Sequence, residues 1–303
     1  MARKMNQPSI YRQGSATRTS LILIYSIISL LLPLFSAGVP PEKQVFSRHK
    51  TVTFGIMADV QYADKDSLNG RQYRESLAML EECTTHLNQQ KLSFTVQLGD
   101  LIDGQGKNQE LTHRDLDRVL EITRRLKSPL YHVIGNHDLT ADQGYLQKSL
   151  RLDSLYYKDF TIAGAPGWRF VILDGNDAGY GIMSETQTGW LRSTLQTAKD
   201  CNEKVVCFCH FPLLKQAARH HYMNKPEAVT KILDETGCVV AWFAGHDHQG
   251  GYAFRNGVHH ITLKGMVESP PYNAFAVVKL TSRKIILKGR GKETKRTLNI
   301  NRL

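Results

Sequence analysis

The chain has 303 residues, 41% of them hydrophobic and 22% charged, with a formal net charge of +11. That balance excludes a disordered or collagen-like chain and leaves room for one large domain or two small ones. Five cysteines, in neither an even set nor a finger spacing, exclude a disulfide scaffold, and no helix-turn-helix, finger or aromatic-basic RNA-binding signature turns the charge into a nucleic-acid face.

The first element is an uncharged apolar run, Leu21 to Ser36, behind a leader with Arg3, Lys4, Arg12 and Arg18 and no acid. It falls short of the roughly 20 residues of a membrane span. Ser36 and Gly38 stand where a signal peptidase cuts, so residues 1–38 are read as a secretory signal. An uncleaved membrane anchor through 21–36 and a buried core helix are the alternatives. Either of the first two places the rest of the chain outside the cytoplasm. Residues 39–50, opening Val39-Pro40-Pro41, read as a linker.

Thr51 to Ala58 alternates Val, Thr, Phe and Ile and predicts the first core strand. A helix over Arg71–Leu92 follows from Leu77, Leu80, Cys83 and Leu87. Next come a strand Phe94–Leu98, a helix Leu111–Leu126 and a strand Leu130–Ile134. Tyr156–Ala163 and Trp168–Leu173 predict a strand pair across Gly164–Gly167, and Ser184 caps a helix to Asp200. Lys204–Cys209 and Val239–Ala244 are nearly continuous apolar runs, the mark of strands covered on both faces, with a helix Pro226–Thr236 between them. Strands at Tyr252–Arg255, Val258–Leu263, Ala274–Leu280 and Lys284–Leu287 complete the domain, placed at 51–291, and 292–303 reads as a basic tail. The expected architecture is α/β (α+β): a four-layer αββα sandwich of two mixed sheets flanked by helices.

Chemistry-bearing residues gather where strands hand over to loops, the edge at which open α/β sheets collect ligands. They are Asp59-Val60-Gln61, Gly99-Asp100-Leu101-Ile102-Asp103, Gly135-Asn136-His137-Asp138, His210 and Gly245-His246-Asp247-His248. Asp59 and Asp100 end neighbouring strands, so their carboxylates can converge, and Asp100 can bridge two cations. Asn136 offers a neutral oxygen. His210, His246 and His248 offer imidazole nitrogens, while Asp247 points elsewhere in an extended segment. Mixed oxygen and nitrogen donors suit Mn²⁺, Fe²⁺ or Zn²⁺ better than Ca²⁺ or Mg²⁺, and the lack of thiolate favours Mn²⁺. Any one of these residues could be a turn former or a packed loop histidine. The ordered set is what points to a two-metal hydrolase.

On these motifs the chain resembles the calcineurin-like metallophosphoesterases over about residues 52–265. The resemblance implies that Asp59, Asp100 and His248 hold one metal and Asp100, Asn136, His210 and His246 the other, with His137 catalytic and Asp103 orienting it. Gln61 stands where most members have a metal-binding His; its amide oxygen is a weaker ligand. The run Asp59-Val60-Gln61-Tyr62-Ala63-Asp64, with His259 to Gly265, Glu268 to Pro271 and Leu287 to Gly291, resembles one subgroup, the manganese-dependent ADP-ribose/CDP-alcohol diphosphatases. The implied activity is cleavage of a nucleoside-diphosphate pyrophosphate to a nucleoside monophosphate and a phosphorylated fragment. A broad or cyclic-nucleotide phosphodiesterase and a non-enzymatic metal-binding scaffold are the competing readings. The implied partner is a small-molecule nucleotide diphosphate. Tyr62, Tyr180 and Phe211 are candidate base-stacking rings, and Arg219, His221 and Tyr222 candidate substrate contacts from the loop over the metals. His259 and His260 alternate along a strand, so at most one can face the site.

Overall fold

The computed structural model describes residues 49–152 and 156–300. The expected signal, and the linker as far as residue 48, lie outside the described residues, as do 301–303 of the expected tail.

The first sheet runs β12-β11-β10-β1-β2-β3: β1 (Val52–Met57), β2 (Phe94–Gln97), β3 (Leu130–His132), β10 (Ala274–Leu280), β11 (Lys284–Gly291) and β12 (Arg296–Asn299). The second runs β4-β5-β6-β7-β9-β8: β4 (Lys158–Phe160), β5 (Trp168–Leu173), β6 (Lys204–Cys209), β7 (Val239–Ala244), β8 (Gln249–Arg255) and β9 (Val258–Lys264). β1, β2 and β3 are parallel, as are β5, β6, β7 and β9; the outer strands are antiparallel. Sheets of this mixed kind arise because crossover helices force parallel neighbours and hairpins add antiparallel edges.

Alternation decides which face each side chain takes. Phe54, Phe94, Phe170, Phe208 and Phe243 meet between the sheets, Phe54 and Phe94 stacked at 4.9 Å. The opposite faces are covered by helices: α1 (Ser76–Asn88), α2 (Gln109–Thr123) and α3 (Gln143–Leu150) on the first sheet, α4 (Glu185–Asp200) and α5 (Glu227–Thr236) on the second. The four-layer αββα expectation is met. Gly55 lets α1 approach β1: a Cβ there would lie 2.9 Å from Leu87.

Three expectations are corrected. α1 begins at Ser76, not Arg71, because Leu68 and Arg71 bridge and Gln72 N–H bonds Val267 O, holding that stretch in turns. α3 was not expected; its signal was only the Asp142 cap on Tyr145 N–H and the buried pair Leu146 and Leu150. Residues 292–300 are not a tail. Gly291 (φ +58°) turns the chain into β12, Leu298 packs against the inter-sheet core and Ile300 is buried in it. Similarly, at the linker's end the Lys50 carbonyl accepts a bond from Trp168 Nε1 at 2.8 Å.

Candidate metal centre and catalytic residues

β1, β2, β3, β6 and β7 deliver Asp59, Asp100, Asn136, His210 and His246 to one edge, each within four residues of its strand's end. The loops after β1 and β2 run side by side, with Asp59 N–H bonded to Gly99 O and Gln61 N–H to Asp100 O. Asp59 (φ +52°), Gln61 (+41°), Asp100 (+56°) and His246 (+67°) are all left-handed. Such backbone costs about 1–3 kcal/mol per residue and persists where surroundings over-determine it, typically at functional sites. Glycines supply the clearance: a Cβ on Gly135 would sit 2.1 Å from Asp100 Oδ1, and one on Gly99 2.5 Å from His210 Nδ1.

Around Asp100 the donors crowd. His210 Nε2 lies 3.3 Å from Asp100 Oδ2, 3.2 Å from Asn136 Oδ1 and 3.0 Å from His246 Nδ1. On the other side, His248 Nε2 is 3.5 Å from Asp59 Oδ1, and Gln61 Nε2 donates to Asp100 Oδ2 at 3.0 Å. Gln61 Oε1 is buried with no hydrogen-bond partner among the described residues.

The outward nitrogens of all three imidazoles are occupied. His210 Nδ1–H donates to Leu98 O at 2.9 Å, His248 Nδ1 meets Glu268 Oε1 at 2.8 Å, and the Tyr180 hydroxyl meets His246 Nε2 at 2.8 Å. The carbonyl and the carboxylate fix the tautomers of His210 and His248 so that the inward nitrogen carries a lone pair. Here those lone pairs face carboxylate and amide oxygens, an arrangement that repels itself unless a proton or a cation sits between. The electrostatics agree. Burial would lower the pKa of His210, but Asp100 raises it to about 9; burial opposes His248 likewise, yet Asp59 and Glu268 raise it to about 10. Burial and the neighbouring His210 push His246 down to about 2. With outward nitrogens already bonded and Asp100, Asn136, His210 and His246 converging on one another, the donor set fits a metal.

His137 lies beside this cluster. Its backbone N–H donates to Asp100 Oδ1 at 2.8 Å, and its Nδ1 lies 3.1 Å from Asp103 Oδ1 and 3.0 Å from Asp103 O. A quarter of its side chain reaches solvent. Burial would lower its pKa, but Asp103 and Asp100 hold it above the ordinary histidine value. Asp103 is in turn paired with Lys65 and, at 3.4 Å, with Arg71.

Several of the expected site residues lie elsewhere. Tyr62 is no stacking ring: it is 2% exposed, packed in the core beneath α1 and α2, and its hydroxyl accepts from Arg118 at 2.8 Å. Phe211 is fully buried, its ring 4.5 Å from that of His246, so it props the centre from behind. His221 comes beside the site, 5.5 Å ring to ring from His246; Arg219 is exposed and Tyr222 half-buried on the same loop. Neither His259, bonded to Tyr252 and Asn299, nor buried His260 joins the cluster. Asp247 points away as expected and accepts the N–H groups of Arg219, His220 and His221, shaping that loop.

Sequence reasoning missed four supports. Asp138 is buried and accepts from Asp100 N–H (2.9 Å), Leu101 N–H (2.7 Å) and Gly135 N–H (2.9 Å), bracing the Asp100 loop. Lys65 and Glu268 back Asp103 and His248, and Tyr180 backs His246 rather than standing only as a stacking ring. Of these, Asp138 stood inside a ligand motif and Glu268 inside the run Glu268 to Pro271.

A two-sheet sandwich carrying acidic, amide and imidazole donors at its strand ends is the scaffold of a metal-dependent phosphohydrolase. The chain belongs to the calcineurin-like phosphoesterase family, whose model matches residues 52–250. It is 31% identical to a protein of Oryza sativa subsp. japonica (81% of this chain, 93% of that one) and 28% identical to one of Homo sapiens (86% and 96%), both named manganese-dependent ADP-ribose/CDP-alcohol diphosphatase. The crystal structure of a dimetal phosphatase from Danio rerio superposes with a TM-score of 0.75 at 28% identity, covering 82% of this chain and 99% of that one.

Proposed function

We propose that this protein is a manganese-dependent diphosphatase that cleaves the pyrophosphate of ADP-ribose- or CDP-alcohol-type compounds to a nucleoside monophosphate and a phosphorylated fragment. The observation that carries the reading is the convergence of His210, His246, Asn136 and Asp100 on one another with their outward groups already bonded. The names of the relatives in rice and human supply the substrate class.

Asp59, Gln61, Asp100 and His248 would hold one divalent ion, Asp100, Asn136, His210 and His246 the other. When bound, such a pair lowers the pKa of water toward neutrality and draws charge off the phosphoryl oxygens. His137 donates a proton to the departing oxygen, Asp103 holding its Nδ1 so that Nε2 carries the proton outward. Lys65 keeps Asp103 ionised: burial would raise that carboxyl's pKa, but His137 and Lys65 hold it below the usual range. A metal-binding scaffold would have no use for this acid and its support. The basic leader and apolar run at residues 1–38 favour a location outside the cytoplasm, which N-terminal sequencing of the natural product tests.

The functional test is a panel on the full chain reconstituted with Mn²⁺. ADP-ribose and CDP-choline should turn over faster than cyclic nucleotides and aryl phosphodiesters, and chelation should abolish the rate. Preference for the cyclic or aryl substrates would overturn the diphosphatase reading, and a chelator-resistant rate would overturn the metal.

A further inference from the structure

The run Leu287-Lys288-Gly289-Arg290-Gly291 is not used by the metal centre, and only half of it is explained by the fold. Its glycines are backbone requirements: a Cβ on Gly289 would meet Glu293 O at 2.3 Å, and one on Gly291 would meet Asn273 O at 1.9 Å. Its cations have no such account. Lys288 and Arg290 alternate onto the outer face of the first sheet, which α1 covers only in part. There they line a groove of about 570 Å³, between the C-terminal end of α1 and the β11–β12 hairpin, together with Lys295, His86, Gln90 and Thr297. That volume suits a small ligand.

Among the described residues no carboxylate lines this groove. The one acid between residues 284 and 299, Glu293, is buried and spent on the N–H groups of Lys264 and Thr294. Glu82, one turn before His86, is bonded to Asn273 at 2.9 Å. Elsewhere Arg74, Arg125, Arg169, Arg192 and Arg255 each meet an acid. In the groove Arg290 instead takes a neutral partner, His86 Nδ1, at 3.1 Å. Burial and that guanidinium hold His86 below its ordinary pKa, so the imidazole orients Arg290 without neutralising it. A guanidinium held by a neutral acceptor, beside the Lys288 and Lys295 ammonium groups that have no acidic partner among the described residues, a hydroxyl and an amide, is the chemistry of phosphate recognition. No residue of the metal centre lines the groove.

We propose that this groove binds a phosphate-bearing small molecule, Lys288 and Arg290 being its principal contacts, as a second anion site apart from the metal centre. The probe is methylenediphosphonate, which resists hydrolysis, titrated calorimetrically into the Mn²⁺-loaded full chain with free metal in excess. Two binding events are expected. The double variant Lys288→Ser/Arg290→Ser should weaken one at least tenfold while leaving turnover and Tm unchanged. Asp100→Asn should remove the other, so failure of the metal reading is seen separately. Two undiminished events in the double variant, or a single event in the parent lost only with Asp100→Asn, would overturn the proposal. Binding to vesicles containing phosphatidate without binding to the diphosphonate would overturn it too, since the groove would then serve a lipid surface.

Discussion

On one side of Asp100, His210 Nε2 stands 3.0 Å from His246 Nδ1 and 3.2 Å from Asn136 Oδ1; on the other, His248 Nε2 is 3.5 Å from Asp59 Oδ1 and the remaining donor is the Gln61 amide. The first side draws on three strands and has two imidazoles; the second has one, and its amide nitrogen is already turned onto Asp100. Imidazole is the stronger ligand for Mn²⁺ or Zn²⁺, so the two sides should fill in order, the His210 side first. Asp100 belongs to both, which makes it the residue whose loss erases the difference. Asp100→Asn should abolish both metal events and lower kcat by about 10³-fold or more, several kcal/mol of lost charge stabilisation. Metal analysis showing one ion retained at full occupancy would mean that Asp100 serves one side only.

His137 tests the chemistry without touching the comparison. His137→Ala should lower kcat by about 10²–10⁴-fold with metal stoichiometry intact. As an acid, His137 must be protonated, so activity falls as pH rises through its pKa. Burial alone would lower that pKa, but Asp103 and Asp100 raise it. Asp103→Asn should therefore move the alkaline limb of kcat to lower pH. An unmoved limb would assign it to another group.

The outward partners sharpen the comparison site by site. Glu268→Gln should weaken metal binding on the His248 side alone, and Tyr180→Phe on the His246 side alone, each by about 10–100-fold. Calorimetry with Mn²⁺ resolves the two events. If either variant weakens both equally, the sides are not independent.

The strand-end donors could be read from sequence because each follows an apolar run of strand length, and the loop then needs polar atoms. Among the described residues, periodicity likewise gave every strand but β12 and four of the five α-helices. Lys65 and Glu268 were illegible for a different reason: they reach the centre from 38 and 20 residues away from their partners, across contacts that only the packed loops create. Tyr62 misled because an aromatic next to a motif looks available, whereas the loop after β1 turns it under α2, where Arg118 meets its hydroxyl. β12 was hidden by composition: Lys295, Arg296 and Arg302 suggested a solvated end, yet Leu298 and Ile300 alternate, and two apolar residues at that spacing suffice for an edge strand.

The smallest expected effect bears most directly on the asymmetry. Gln61 is left-handed at φ +41°, a region that His tolerates better than most residues, so Gln61→His need not distort the loop. The substitution exchanges a buried amide oxygen, without a hydrogen-bond partner among the described residues, for an imidazole nitrogen at the same position. It also removes the donor that holds Asp100 Oδ2. The two changes oppose each other: a stronger ligand is gained, and a bond positioning the bridging carboxylate is lost. Because a charge-assisted bond to a carboxylate contributes about 1.5–3 kcal/mol only while no cation competes for the same oxygen, the ligand gain should prevail once metal is present. The second Mn²⁺ event should tighten by about tenfold, bringing the two affinities together. A second event that weakens instead would show that the Gln61–Asp100 bond, rather than the amide as a ligand, is what this position contributes.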